Sequence, residues 1–169
     1  MTIKSLTTEN WLQPDSNGLS FLKTGDVPEL TGEDWLALFL RVKLAPQVPD
    51  NVRGDFEVAR GALVYGYYFS PLFALAAEPL ARAAKSAVFE KCKKLGVQTV
   101  YKNGMQLHLS QALAWLRHHE CISRAELHEW EEIFKYADSS SQHKKSLPPS
   151  DAVVKYFHSV GEKINGLFG

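Results

Sequence analysis

The sequence predicts an all-α fold, an antiparallel bundle of about five to six helices. Beyond residue 30, apolar residues recur at helical spacing, and capping residues or prolines bound each run. Only residues 97–104 read as extended, with Asn103-Gly104 as a turn signal. We therefore expect residues 31–169 to form a single helical bundle domain, and residues 1–30 to be an N-terminal extension packed on it.

Capping residues place the first two helices. Thr31 with Asp34 opens the first, and the prolines that precede residue 50 end it. Asp50 is predicted to cap the second, which runs to about residue 69. Gly61 and Gly66 lie inside it, and each costs ~1 kcal/mol relative to alanine. The pattern therefore predicts that a neighbouring element packs closely at both glycines.

The remaining helices follow the same rules. Ser70 caps the third helix, with Pro71 in its first position; it runs to about residue 95, where Gly96 ends it. Pro79 predicts a kink or a break near residue 76. A fourth helix spans about 106–119. The fifth opens at the pair Ser123 and Glu126, a polar connector covers 138–145, and Ser150 caps a last helix with a clear apolar stripe.

Composition bounds the function classes. The chain has 169 residues, which suits one domain with a substantial core. Lys plus Arg and Asp plus Glu number 19 each, so the net charge is zero, whereas a non-specific nucleic-acid binder usually carries a basic excess. A local basic patch remains open. The first residues lack the apolar core of a signal peptide, and the longest apolar stretch is shorter than the ~20 residues of a spanning helix. We expect a cytoplasmic protein without membrane contact.

No catalytic or cofactor motif stands out. Two histidines at one-turn spacing do not occur, and His128 with Glu132 is half of a metal pattern without a second half. Phosphate-cradling glycine loops and a serine nucleophile elbow are absent from the sequence. Cys92 lies among lysines that could lower its pKa, yet its spacing with Ala84 and Val88 favours a core cysteine. We expect no metal and no small-molecule cofactor.

An aromatic run lies between the second and third helices: Tyr65, Tyr67, Tyr68, Phe69 and Phe73. Such a run is typical of a core, but it is also typical of a stacking platform or a dimer surface. If Tyr65 and Tyr68 face outward, an interface is predicted, because exposed contiguous aromatics seldom go unused.

Three segments together resemble the HEPN-type helical domains, including bacterial stand-alone members. They are residues 68–78 (YFSPLFALAAE), residues 109–116 (LSQALAWL) with Cys121-Ile122-Ser123 after them, and residues 139–143 (SSSQH) before the last helix. The resemblance covers residues 50–168. It implies a helical bundle that dimerises. Catalytic members are metal-independent ribonucleases with an arginine shortly before a histidine at the start of the final helical segment.

His143 matches the family's histidine, but the matching arginine is missing. Its window, 136–138, holds Tyr-Ala-Asp, and the nearest cation is Lys135, outside the window. Lysine cannot replace arginine where bidentate phosphate contact is required. The resemblance therefore implies a degenerate motif. His143 with Lys144 and Lys145 remains a candidate phosphate contact, and an exposed polar loop explains these three residues as well.

Three hypotheses follow. The leading one is a non-catalytic HEPN-like domain that binds a partner protein or RNA as a homodimer. The alternative is a weak, toxin-like, metal-independent ribonuclease in which His143 acts with Lys135 or Arg124. The third is a structural adaptor with an unrelated helical fold.

Overall fold

The computed structural model describes residues 3–15, 30–101, 104–142 and 150–169. Those residues form six helices, which confirms the prediction of an all-α bundle. The helices are α1 (Gly32–Leu40), α2 (Asp50–Tyr65), α3 (Pro71–Lys94), α4 (Leu109–His118), α5 (Arg124–Gln142) and α6 (Ser150–Phe168). In the stretch expected to be extended, the described residues show one isolated antiparallel bridge, between Val100 and Gln106.

Local side-chain hydrogen bonds begin two of the helices as predicted. The Thr31 hydroxyl accepts from the Asp34 N–H at 3.1 Å, and the Asp34 carboxylate accepts from the Thr31 N–H at 3.2 Å. Ser123 and Glu126 make the same reciprocal pair at 3.1 and 2.8 Å. Each pair satisfies two N–H groups that a helix start otherwise leaves without partners.

The boundaries of α2 differ from the prediction. The residue that caps it is Pro49, and Asp50 instead lies in the first turn, where a carboxylate favours the helix dipole. The helix also ends at Tyr65, earlier than expected, because the chain must turn before Pro71 starts α3. Ser70 precedes α3 but makes no side-chain cap hydrogen bond.

Helix α3 is central to the bundle and contacts α2, α4, α5 and α6. It runs unbroken through Pro79, so the predicted break near residue 76 does not occur. Pro79 is itself buried, and packing on several sides offsets the hydrogen bond that proline removes. Gly96, with φ of 81°, follows its C-terminus in the left-handed conformation that ends helices.

A series of aromatic rings joins four helices in the core. Trp35 of α1 lies 5.5 Å from Phe73 and 5.1 Å from Phe39, measured between ring centroids. Phe157 of α6 lies 5.3 Å from Phe39 and stacks on Phe56 of α2 at 4.5 Å. Buried aromatic pairs in these geometries add ~0.5–1.5 kcal/mol each beyond the area they bury. The series therefore fixes α1, α2, α3 and α6 relative to one another.

Helix α6 also holds the segment between α1 and α2. The Asn165 amide accepts from the Ala45 N–H at 2.8 Å and donates to the Lys43 carbonyl at 2.9 Å. The His158 ring nitrogen Nε2 lies 2.7 Å from the Leu38 carbonyl oxygen. These side chains satisfy backbone groups in the last turn of α1 and in the segment after it, which have no hydrogen-bond partner within a helix.

Residues 3–15 lie against the turn between α2 and α3. The Asp15 N–H donates to the Tyr67 carbonyl at 2.8 Å, and its buried carboxylate accepts from the Ser70 N–H at 2.8 Å. The Lys4 ammonium donates to the Tyr68 carbonyl at 3.0 Å. The N-terminal segment thus contacts the turn that carries the central tyrosines.

Glycines permit close contact at two points of the core. A Cβ on Gly66 would overlap the Phe73 ring, which agrees with the close packing predicted there. The same prediction for Gly61 is wrong, because a Cβ at that position meets nothing within 4 Å. In α6, a Cβ on Gly161 would overlap Val42 and lie 3.1 Å from Phe56.

We expect Gly161→Ala to lower the free energy of unfolding by ~1–3 kcal/mol, because a methyl group at this position forces the side chains of Val42 and Phe56 away from α6. Gly166→Ala is the matched control, since Gly166 lies in the same helix with nothing within 4 Å of its Cβ position. It should raise the free energy of unfolding by up to ~1 kcal/mol. Urea denaturation of both variants measures the difference, and equal effects would contradict the packing at Gly161.

Candidate functional site

A groove of about 380 Å³ lies between α1, α2 and the turn that follows α2. It is lined by Gly32, Leu36, Glu57, Arg60, Gly61, Val64, Tyr65, Tyr67 and Tyr68. The structure therefore brings together Tyr65 and Tyr68, the two residues that the sequence offers as interface candidates. This volume lies near the lower end of the range for small-ligand pockets.

The three tyrosines differ in exposure. Tyr65 is 64% exposed, Tyr67 is buried and Tyr68 is half-buried. Tyr67 and Tyr68 pack edge to face at 5.0 Å, and the Tyr67 hydroxyl donates to the Leu30 carbonyl at 3.1 Å. A Cβ on Gly32 would lie 3.3 Å from the Tyr68 hydroxyl oxygen, so the missing side chain leaves room for that ring. Of the two interface candidates, Tyr65 and Tyr68, only Tyr65 faces outward, as the prediction of an interface requires.

Arg60 is the cation that lines the groove, but its charge is neutralised by a carboxylate of the same helix. Its guanidinium pairs with Glu57 at 2.9 Å and donates to the Val42 carbonyl at 2.6 Å. It also lies over the rings of Phe56 and Phe157, 5.4 and 5.8 Å from their centroids. With its side chain 14% exposed, Arg60 acts mainly as a structural tie between α2 and the end of α1.

Exposed apolar side chains lie on the two helices that form the groove. Leu36 lines it and is 37% exposed, and Leu40, one helical turn further along α1, is 47% exposed. On α2, Val58 is 59% exposed beside Gly61. The arrangement is a shallow, largely uncharged surface with one neutralised ion pair. Its chemistry suits contact with another polypeptide rather than with a charged small molecule.

Of the other predicted site residues, the two that the structure describes, Lys135 and Arg124, do not line this groove. His143, Lys144 and Lys145 lie outside the described residues. Lys135 lies on α5 and donates to Glu132 at 2.5 Å; this carboxylate raises the pKa of the lysine. Arg124 is exposed at the start of α5.

Position 136, within the window for the family's arginine, holds a packed tyrosine. The ring centroids of Tyr136 on α5 and Tyr156 on α6 lie 4.3 Å apart. An exposed arginine in this place would have to leave that contact. The structure therefore uses position 136 to join α5 to α6.

The described residues also include the metal and nucleophile candidates, His128 with Glu132 and Cys92. There, no three His, Cys, Asp or Glu side chains group closely enough to hold a metal ion. His128 lies 3.8 Å from Glu131 rather than pairing with Glu132. Cys92 is fully buried, which confirms it as a core cysteine, and burial raises the pKa of its thiol from 9.0 to about 11. Among the described helices, none has the length and apolar character to cross a membrane.

Comparison with protein-family models, curated proteins and solved structures finds no match to this chain. Sequence reasoning missed Leu36, Gly32 and Arg60 as lining residues, because nothing in their local pattern separates them from other helix positions. The spacing of Gly61 and Tyr65, which puts both on one face of a helix, is the one signal that the sequence offers.

We expect a thiol reagent such as DTNB to label Cys121 in the native protein and Cys92 only after unfolding. At pH 8, a rise of the pKa from 9.0 to about 11 lowers the thiolate fraction about 100-fold. Stability should also fall as the pH rises from 9.0 toward about 11, because the unfolded chain loses this proton first. The Cys121→Ser variant is the control, and rapid native labelling of that variant would contradict the buried placement of Cys92.

Proposed function

We propose that this chain is a non-catalytic, HEPN-like binding domain of the cytoplasm that forms a homodimer and holds a partner protein. The observation that carries the proposal is the exposed Tyr65 ring beside an apolar groove whose ion pair is internally neutralised. RNA is the second candidate partner, through Lys144 and Lys145.

Exposure and composition support an interface at this place. Tyr65, Val58, Leu36 and Leu40 are large apolar side chains in contact with water on two neighbouring helices. Exposed apolar side chains on neighbouring elements are typical of interaction surfaces, and the centres of interfaces are enriched in tyrosine and depleted of charge. The zero net charge of the chain also removes a barrier to self-association.

The state of Lys135 favours binding over cleavage. The ammonium pairs with Glu132, which partly neutralises its charge. Position 136 holds a tyrosine packed on Tyr156 instead of the family's arginine. The sequence has no arginine in the window 136–138 before His143, and the lack of a bidentate phosphate contact from that window weakens the ribonuclease alternative.

We expect Tyr65→Ala to raise the dissociation constant of the dimer at least about tenfold, since a buried interfacial tyrosine is a typical hot spot. Sedimentation velocity over a concentration series measures the change. Tyr101→Ala is the matched control, because Tyr101 is 43% exposed but does not line the groove. Equal dissociation constants for both variants and the wild type would rule out Tyr65 as an interface residue.

The ribonuclease alternative makes a different prediction. We expect the purified chain to leave single-stranded RNA intact, and His143→Ala to change neither RNA stability nor growth of cells that express the protein. A matched His128→Ala variant controls for loss of an exposed histidine. Cleavage by the wild type that disappears in His143→Ala but persists in His128→Ala would replace the binding proposal with the enzymatic one.

A further inference from the structure

Helix α2 carries an ordered line of residues on its outward face. Gly54, Val58, Gly61 and Tyr65 follow one another at intervals of four, three and four residues. Val58 is 59% exposed, Tyr65 is 64% exposed and Gly54 is exposed. The opposite face of the same helix is buried in the core through Val52, Phe56, Ala59 and Leu63. We call the outward line the α2 seam.

The spacing of the α2 seam is that of a coiled-coil contact. Positions four and three residues apart alternate as the two inward positions of a heptad, so they present a continuous line to a facing helix. Because glycine has no side chain, the helix surface is recessed at two of the four positions of the seam. Helices with such small contact residues approach to ~8 Å between axes. Among the described residues, nothing lies within 4 Å of a Cβ built on Gly54 or Gly61.

We propose that the α2 seam packs antiparallel against the α2 seam of a second copy of this chain. This inference rests on the proposed homodimer and specifies where the dimer forms. With the two helices aligned about a point between Val58 and Gly61, Tyr65 lies over Gly54 of the second copy. Val58 then lies over Gly61 of the second copy, and the two-fold axis repeats both contacts. Each large side chain meets a glycine.

Other alignments lose this match. A parallel pair places Tyr65 on Tyr65 and leaves glycine facing glycine, which creates a clash beside a void. An antiparallel shift by one heptad keeps a glycine opposite only one of the two large side chains. The pattern of large and small residues is therefore complementary to itself in one register, as an interface around a two-fold axis requires.

Charges flanking the α2 seam agree with a second copy as the occupant. In the proposed register, Glu57 lies nearest Val64 of the second copy, and Asp55 lies nearest Ala62 of the second copy. Neither carboxylate faces its own symmetry mate. Within one chain, Asp55 already pairs with Arg82 and Glu57 with Arg60, each at 2.9 Å, so no uncompensated charge is buried.

The α2 seam also continues into the groove. Gly61 and Tyr65 belong to both, and Leu36 extends the apolar surface from α2 onto α1. A 16-residue helix alone offers a narrow contact. The flank formed by α1 widens it toward the ~800 Å² per partner that stable interfaces bury.

The test replaces the glycines. We expect Gly54→Leu and Gly61→Leu each to raise the dimer dissociation constant at least about tenfold, because leucine blocks the large side chain of the second copy. The melting temperature of the dilute monomer should rise or stay unchanged, since glycine is replaced within a helix where space is open. Gly166→Leu is the matched control, a helical glycine with open space on α6. Sedimentation velocity and thermal unfolding provide the two measurements.

Cross-linking tests the register independently of those variants. We expect an equal mixture of Val58→Cys chains and Gly61→Cys chains, both in a Cys121→Ser background, to form disulfide-linked dimers faster than either chain alone. Gly166→Cys chains should not cross-link. No gain in the mixture, or glycine variants with dissociation constants within about twofold of wild type, would overturn the seam.

The outcomes separate this inference from the proposed function. A wild-type dimer that tolerates both glycine substitutions overturns the α2 seam and leaves the homodimer in place. A wild-type chain that stays monomeric at all concentrations overturns both.

Discussion

The burial of Trp35 is the contact on which the rest of the structure depends. Its indole is fully buried, donates to the Leu63 carbonyl at 3.0 Å, and touches rings from α1 and α3. A buried indole N–H must find an acceptor, and the one it finds lies in the last turn of α2. This hydrogen bond places the start of α1 beside the end of α2. The groove exists because α1 is held there and is short, so it covers one flank of α2 only.

That placement divides α2 into two faces with different roles. Its inner face, represented by Phe56 and Ala59, meets α3 and the aromatic series, and its outer face remains in contact with water. The apolar side chains on that outer face are Val58 and Tyr65. Gly54 and Gly61 explain why the outer face is not simply another core surface. A Cβ built at Gly66 or Gly161 would overlap a neighbouring side chain, whereas a Cβ built at Gly54 or Gly61 meets no described atom within 4 Å. Both glycines of the outer face nevertheless weaken the helix that contains them.

Polar contacts keep the region around the groove in place without leaving it charged. Arg60 satisfies the end of α1 and neutralises Glu57 within the same helix. At the turn after α2, the Asp15 N–H donates to the Tyr67 carbonyl and the Asp15 carboxylate accepts from the Ser70 N–H, so the N-terminal segment stabilises the position of Tyr67. Both residues act on backbone groups close to a helix end. The result is an apolar surface on a firmly held base, and such a surface loses little conformational entropy when it binds.

The sequence by itself determined the helical class, the starts of α1 and α5, and the burial of Cys92, because these follow from local capping chemistry and periodicity. Tertiary structure decided the end of α2, the continuity of α3 through Pro79 and the outward position of Tyr65. The physical reason is that α2 carries apolar residues at helical spacing on two faces. Periodicity shows that both can be buried, but only the packing of α3 and α1 selects the face that is covered within one chain.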